Sequence, residues 1–208
     1  MAIKIDTLKV KDSNWNLYWD KIHLLQKKIN SKFFIELQEL ATSKLSNTRK
    51  ILPDILRATP HSSQLYKKSE ALLLKMLKSE TSPSVVASIG FANIDLRSLK
   101  LAKEMAQFAN SKNSQVRFSV IRATDSFRSA EFLKILLAMT KDRSPMIREW
   151  AQFTIANTYV ADKRMRIQMR LKLKAVFTKL SNDKNSAVRK VAKDILEKFY
   201  SDRTKNKN

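Results

Sequence analysis

Arg166, Arg170 and Lys174 are spaced i, i+4 and i+8, which places all three on one face of a helix. Such a stripe can follow a phosphate backbone or an acidic surface without reading base identity. Lys163 and Arg164 extend it at one end, and Lys190 and Lys193 add charge on the last helix. Residues suited to catalysis are sparse. His23 and His61 are the two histidines, and Asp20 with His23 at i, i+3 is a weak metal pair with no obvious further ligands. The chain has no cysteine, which excludes disulfides, thiolate zinc sites and cysteine nucleophiles. Its one glycine, Gly90, excludes a glycine-rich phosphate loop. Nothing matches a nucleophile elbow. We read no catalytic residue, no metal site and no cofactor.

The formal charge is +22 over 208 residues. Residues 161–208 hold fifteen Lys/Arg against five Asp/Glu, or +10 in 48 residues, and the other 160 residues hold +12. An excess of this size attracts polyanions, although it also suits a plainly solvated surface. No apolar run reaches the roughly 20 residues of a membrane span, and the N-terminal residues lack a signal-peptide core. A soluble, cytoplasmic protein is expected.

The elements that must position these charges are helices. Hydrophobic residues make up 43% of the chain, while one glycine and four prolines leave little for tight hairpin turns. Four segments begin a helix alike: Ser82-Pro83-Ser84-Val85-Val86, Asn113-Ser114-Gln115-Val116-Arg117, Ser144-Pro145-Met146-Ile147-Arg148 and Asn185-Ser186-Ala187-Val188-Arg189. Each opens with a capping residue and continues with Pro or Ser at the first helical position. Residues 85, 116, 147 and 188 are 31, 31 and 41 apart. This self-similarity marks an α-solenoid, all-α and built from about ten helices in antiparallel hairpins.

Along the chain, the spacing predicts a helix over 12–30, capped by Asp12, Ser13 or Asn14, that buries Trp15, Tyr18, Ile22, Leu25 and Ile29. A helix over 32–44 follows, then one from 49 to 58 that Pro53 should bend or break. Further helices are expected over 65–77, 83–94, from Asp95 or Ser98 to 108, after Asn113, and over 129–140, 145–158, 164–180 and 186–200. On helix 164–180 the buried stripe is read as Ile167, Leu171, Val176 and Leu180. On the last helix it is read as Val191, Ile195 and Leu196. Trp150 and Phe153 are placed in the inter-helix core, and Trp19, offset from its stripe, is left open. Residues 1–200 are read as one domain, with 12–63 as atypical capping helices, 64–200 as repeats and 201–208 as a disordered tail.

Over residues 64–200 the chain resembles HEAT-repeat proteins, which pair two antiparallel helices per repeat with an Asp in the turn and a Val-Arg pair opening the second helix. Asp142 with Ile147-Arg148 and Asp183 with Val188-Arg189 match both parts. Arg117 keeps the arginine with Ser111 at the Asp position, and Glu80 and Val86 stand at the two positions of the earlier repeat. The stretch Arg148-Glu149-Trp150-Ala151 is similar to bacterial HEAT segments. The resemblance implies that Arg117, Asp142, Arg148, Asp183 and Arg189 form a structural ladder across repeats.

The partner-binding residues are therefore sought outside the ladder: Arg164, Arg166, Arg170, Lys174, Lys190 and Lys193. The expected function is a non-enzymatic scaffold recognising an acidic protein or a nucleic acid through a rigid, curved, basic surface. HEAT-like folds also include the alkylpurine DNA glycosylases, so a related DNA-binding protein is the alternative. Those enzymes carry a Trp-Trp-Asp-type motif in mid-chain. Tyr18-Trp19-Asp20 lies near the N-terminus instead, and Asp20 is read as an exposed or capping acid.

Overall fold

The computed structural model describes residues 15–162 and 164–201. The caps sought at Asp12, Ser13 or Asn14, the Trp15 side chain, Lys163 and most of the tail lie outside the described residues. Eleven α-helices and no strand occur among the described residues: α1 (Trp15–Gln26), α2 (Ser31–Ala41), α3 (Ser46–Leu56), α4 (Gln64–Ser79), α5 (Pro83–Leu96), α6 (Leu99–Ala106), α7 (Ser114–Thr124), α8 (Ala130–Met139), α9 (Pro145–Ile155), α10 (Ile167–Leu180) and α11 (Ser186–Tyr200). The chain forms two compact units, Met1–Gln107 and Phe108–Asn208.

In the first unit, α2 pairs with α3 and α4 with α5, while α1 packs on α3. The first helices α2, α4 and α6 form one row, and the second helices α3 and α5 another. In the second unit, α8 pairs with α9 and α10 with α11, and the second helices stack in the order α7, α9, α11. Each row is held by side chains from one stripe. In the second unit these are Val116, Val120 and Ile121 on α7, Ile147, Ala151 and Ile155 on α9, and Val188, Ala192 and Ile195 on α11, all buried. Gln152 ties α9 to α11 by donating through Nε2 to the Val188 carbonyl (2.9 Å).

Local chemistry fixes the helix starts. Asn113 and Asn185 cap through Oδ1, which accepts from two backbone N–H groups each. Ser82 and Ser144 occupy the cap position without a side-chain cap bond, and a proline follows each. In both turns the cap residue's own N–H donates to the turn acid, Ser82 to Glu80 Oε1 and Ser144 to Asp142 Oδ1 (2.8 Å each), as Asn185 N–H does to Asp183 Oδ1 (2.8 Å). Ser98, not Asp95, opens α6, its Oγ accepting from Leu101 N–H. Asp95 belongs to α5, which ends at Arg97 in the left-handed region (φ 46°), where Asn93 brackets Ser98 by donating to its carbonyl and accepting from its N–H.

Three expectations are corrected. Pro53 does not break α3, which runs through it to Leu56 with the loss of the one intrahelical bond its missing N–H would make. The buried stripe of α10 is Leu173, Phe177 and Leu180; Ile167 and Leu171 are 67% and 57% exposed, and Val176 is half-buried. Phe153 is 48% exposed and Trp150 half-buried, because Trp150 packs on Phe118 and Arg122 at the rim of α7 and not between α8 and α9.

Candidate partner-binding surface

Four of the five turns between first and second helices share one arrangement, the exception being the Glu80 turn, where Val86 stands in place of an arginine. In those four, the arginine six residues after the turn acid or serine folds back on its own turn. Nη1 donates at 2.8 Å to the carbonyl of Ser43 from Arg49, of Ser111 from Arg117, of Asp142 from Arg148 and of Asp183 from Arg189. This pins the guanidinium and leaves its Nε–Nη2 edge facing the next repeat. Three of the four arginines use that edge on a carboxylate, with both bonds at 2.7–2.8 Å: Arg49 on Glu80, Arg117 on Asp142 and Arg148 on Asp183. The forked guanidinium matches a carboxylate in charge and shape, so each rung sets orientation as well as attraction.

The acids respond accordingly. Bonding to Arg148 holds Asp183 below the usual carboxylate range, and Arg49 does the same for Glu80. Burial alone would raise Asp142, but its bonds with Arg117 and the Ser144 amide outweigh it and lower the group. Each ladder runs within its own unit. Arg49 was missed in the sequence, although Ser43 six residues earlier repeats the Ser111–Arg117 spacing.

Arg189 is different. Its Nη1 donates to the Asp183 and Lys184 carbonyls (2.8 and 3.0 Å), and no carboxylate meets its Nε–Nη2 edge among the described residues.

The basic residues proposed for partner binding divide in two. Arg170 is half-buried and structural: it donates to the Val160 and Phe199 carbonyls (3.0 and 2.7 Å) and lies over the Tyr200 ring. Arg164 pairs with Asp162 at 3.2 Å. Arg166 is exposed at the start of α10, and Lys174, Lys190 and Lys193 are exposed with no ion pair among the described residues. Lys174 lies 6.0 Å from the Tyr200 ring centroid. The stripe read from i, i+4, i+8 spacing is therefore interrupted at its centre by an inward-turned arginine.

Two hollows accompany these charges. Between α8 and α10 a cavity of about 810 Å³ is walled by Leu137, Ala138, Val176 and Leu180 beside the Arg148–Asp183 rung, with Lys141 and Lys179 at its rim. In the first unit a space of about 430 Å³ lies against Trp19, His23, Gln26, Arg57 and Asp95, where Arg57 covers the Trp19 ring and pairs with Asp95. Trp19 is half-buried and Asp20 exposed. On the second-helix side of the C-terminal unit, Trp150 meets Phe118 and Phe153 (centroids 5.2 and 5.6 Å), and Arg122 lies 4.9 Å above the Trp150 ring. No group of three or more His, Asp or Glu side chains is placed to hold a metal among the described residues. No helix there is long and apolar enough to cross a membrane.

Stacked antiparallel hairpins and turn ladders of this kind define a helical-repeat protein, an α-solenoid. The chain is similar in structure to YibA of Escherichia coli, with a TM-score of 0.70 and 21% identity over 92% of this chain and 69% of that one. It is also similar to a designed armadillo repeat protein, with a TM-score of 0.56 and 15% identity over 93% of this chain and 97% of the other. No protein-family model and no curated protein sequence matches it.

Proposed function

We propose that this chain is a non-enzymatic, HEAT-like binding scaffold that captures an acidic partner on its C-terminal unit. The observation that carries this reading is how the two basic residue types are used. Residues 108–208 hold 23 Lys/Arg against nine Asp/Glu, a net +14. Arg117, Arg148 and Arg170 are spent on internal bonds, while Lys134, Lys141, Lys172, Lys174, Lys179 and Lys190 are exposed without an acidic partner among the described residues. The outward charge is thus left uncompensated on a scaffold that is already ordered, which keeps the entropic cost of binding low.

An acidic protein is favoured over nucleic acid because the cavity between α8 and α10 combines apolar walls with a lysine rim and contains no aromatic ring to stack a base. The test is fluorescence anisotropy of the whole chain with polyglutamate and with single- and double-stranded oligonucleotides, at about 50 and 200 mM salt. Tight, salt-sensitive binding of polyglutamate supports the reading, and no binding of any polyanion at low salt removes it.

The second reading, a DNA-binding relative of the alkylpurine glycosylases, draws on the partly exposed Phe118–Trp150–Phe153 cluster beneath Arg122, which could stack bases. Preferential binding of oligonucleotides with release of free base would favour it.

A further inference from the structure

Arg189 is prepared as the donor half of a rung, and the acceptor half is not supplied by the described residues. In the three closed rungs the sequence of events is the same. Nη1 is anchored on the arginine's own turn, and the Nε–Nη2 edge receives a carboxylate from the turn of the next hairpin. Arg189 repeats the anchoring to within the same distances, so its guanidinium is oriented before any partner arrives. Such an edge accepts a carboxylate bidentately with little further loss of side-chain freedom.

A second observation lies on the neighbouring helix. Leu137 of α8 lines the cavity toward α10, and its counterpart 41 residues on is Thr178. Leu171 lies seven residues earlier on the same stripe of α10, and Ile167 precedes it by one turn. Both are more than half exposed, at 57% and 67%. So α10 shows apolar side chains on the side by which α8 meets its successor. On α11, Lys193 stands 41 residues after the buried Gln152, and it is exposed.

We infer that the face formed by Arg189, Lys193, Leu171 and Ile167 docks a helical hairpin of an acidic partner, with an Asp or Glu of that hairpin's turn closing the Arg189 rung. This rests on the acidic-partner reading and specifies its site. A helical occupant suits the face because it satisfies its own backbone, and no sheet edge is available among the described residues to pair an extended segment. The surrounding cations, Lys174, Lys190 and Lys193, favour negative charge on the rest of the hairpin. They disfavour residues 202–208 as the occupant, because Asp202 is outnumbered there by Arg203, Lys205 and Lys207.

The probe is a fluorescein-labelled peptide carrying this chain's own 167–200 sequence with glutamate at positions 172, 179, 190 and 198. It retains the turn Asp183, and a D183N peptide serves as control. Full-length protein should bind the first peptide, and the control should bind about tenfold more weakly or worse. Arg189→Lys in the protein should cause a similar loss, since lysine keeps the charge but loses the fork. Leu171→Glu should weaken binding as well, with circular dichroism and melting unchanged because the site is exposed. Undiminished binding by R189K would overturn the inference, and salt-sensitive capture of polyglutamate by that variant would leave the broader reading standing. A dimer of the protein alone that R189A dissolves would also overturn it, by giving the face to a second copy.

Discussion

Arg148 and Arg189 occupy equivalent places, 41 residues apart, and start with the same bonds to their own turns. Arg148 is then buried against Asp183 and becomes part of the stack, whereas no carboxylate among the described residues meets the second edge of the half-buried Arg189. One sequence motif therefore serves two ends. In the middle of a row it closes the fold, and at the last described hairpin its second edge meets no carboxylate among the described residues. The difference lies in the neighbour and not in the residue, so a count of motif arginines cannot separate architecture from recognition.

The comparison breaks most severely at the closed rung. Arg148→Ala removes both carboxylate bonds and strands Asp183, with side chains only 7% and 12% exposed, and should cost about 3–5 kcal/mol in urea unfolding. Arg148→Lys should recover little of this, because a point charge cannot chelate two oxygens. Arg49→Ala removes a more exposed arginine (18%) but strands Glu80, whose side chain is 3% exposed, and should cost about 2–3 kcal/mol. If R49A proved costlier than R148A, burial of the stranded carboxylate would outweigh burial of the arginine.

A smaller and oppositely signed effect belongs to Asp54, buried in the first unit and accepting from Tyr18 Oη (2.5 Å) and Ser88 Oγ (3.0 Å). Burial pushes this carboxyl above its ordinary range despite those bonds. The folded chain therefore holds the Asp54 proton more tightly than the unfolded chain, and stability falls as pH rises from the ordinary carboxylate range through the raised value. Asp183, Asp142 and Glu80 are lowered, so their contribution is present above the ordinary range and fades as pH falls through their folded values. Asp54→Asn should flatten the first dependence in chemical denaturation curves across pH and leave the second intact. Arg189→Ala, which loses two bonds to its own turn, should cost about 1 kcal/mol, and Lys179→Glu, exposed with no ion pair among the described residues, less than about 0.5 kcal/mol.

Much of the repeat architecture was legible because capping, proline placement and the turn-to-arginine spacing are local: Asn113 and Asn185 cap as their residue type predicts. What could not be read was decided by neighbours. On α10 two apolar stripes compete, Ile167 with Leu171 and Leu173 with Phe177, and only contact with α11 selects the second. Arg170 shares the spacing of Arg166 and Lys174 but finds the carbonyls of Val160 and Phe199, ten and 29 residues away, and turns inward. Trp150 and Phe153 fit a core pattern by spacing, yet Trp150 meets only the rim of α7, through Phe118 and Arg122, and Phe153 packs on its edge, 48% exposed.

The most direct measurement is the arginine side-chain NMR spectrum of the full-length protein during titration with the acidic hairpin peptide. The Arg189 Nε–H signal should start apart from those of Arg117 and Arg148, exchanging readily with solvent. On saturation it should move toward theirs and become protected, as a carboxylate takes the free edge. An Arg189 signal that stays in fast exchange while the peptide is fully bound would contradict it.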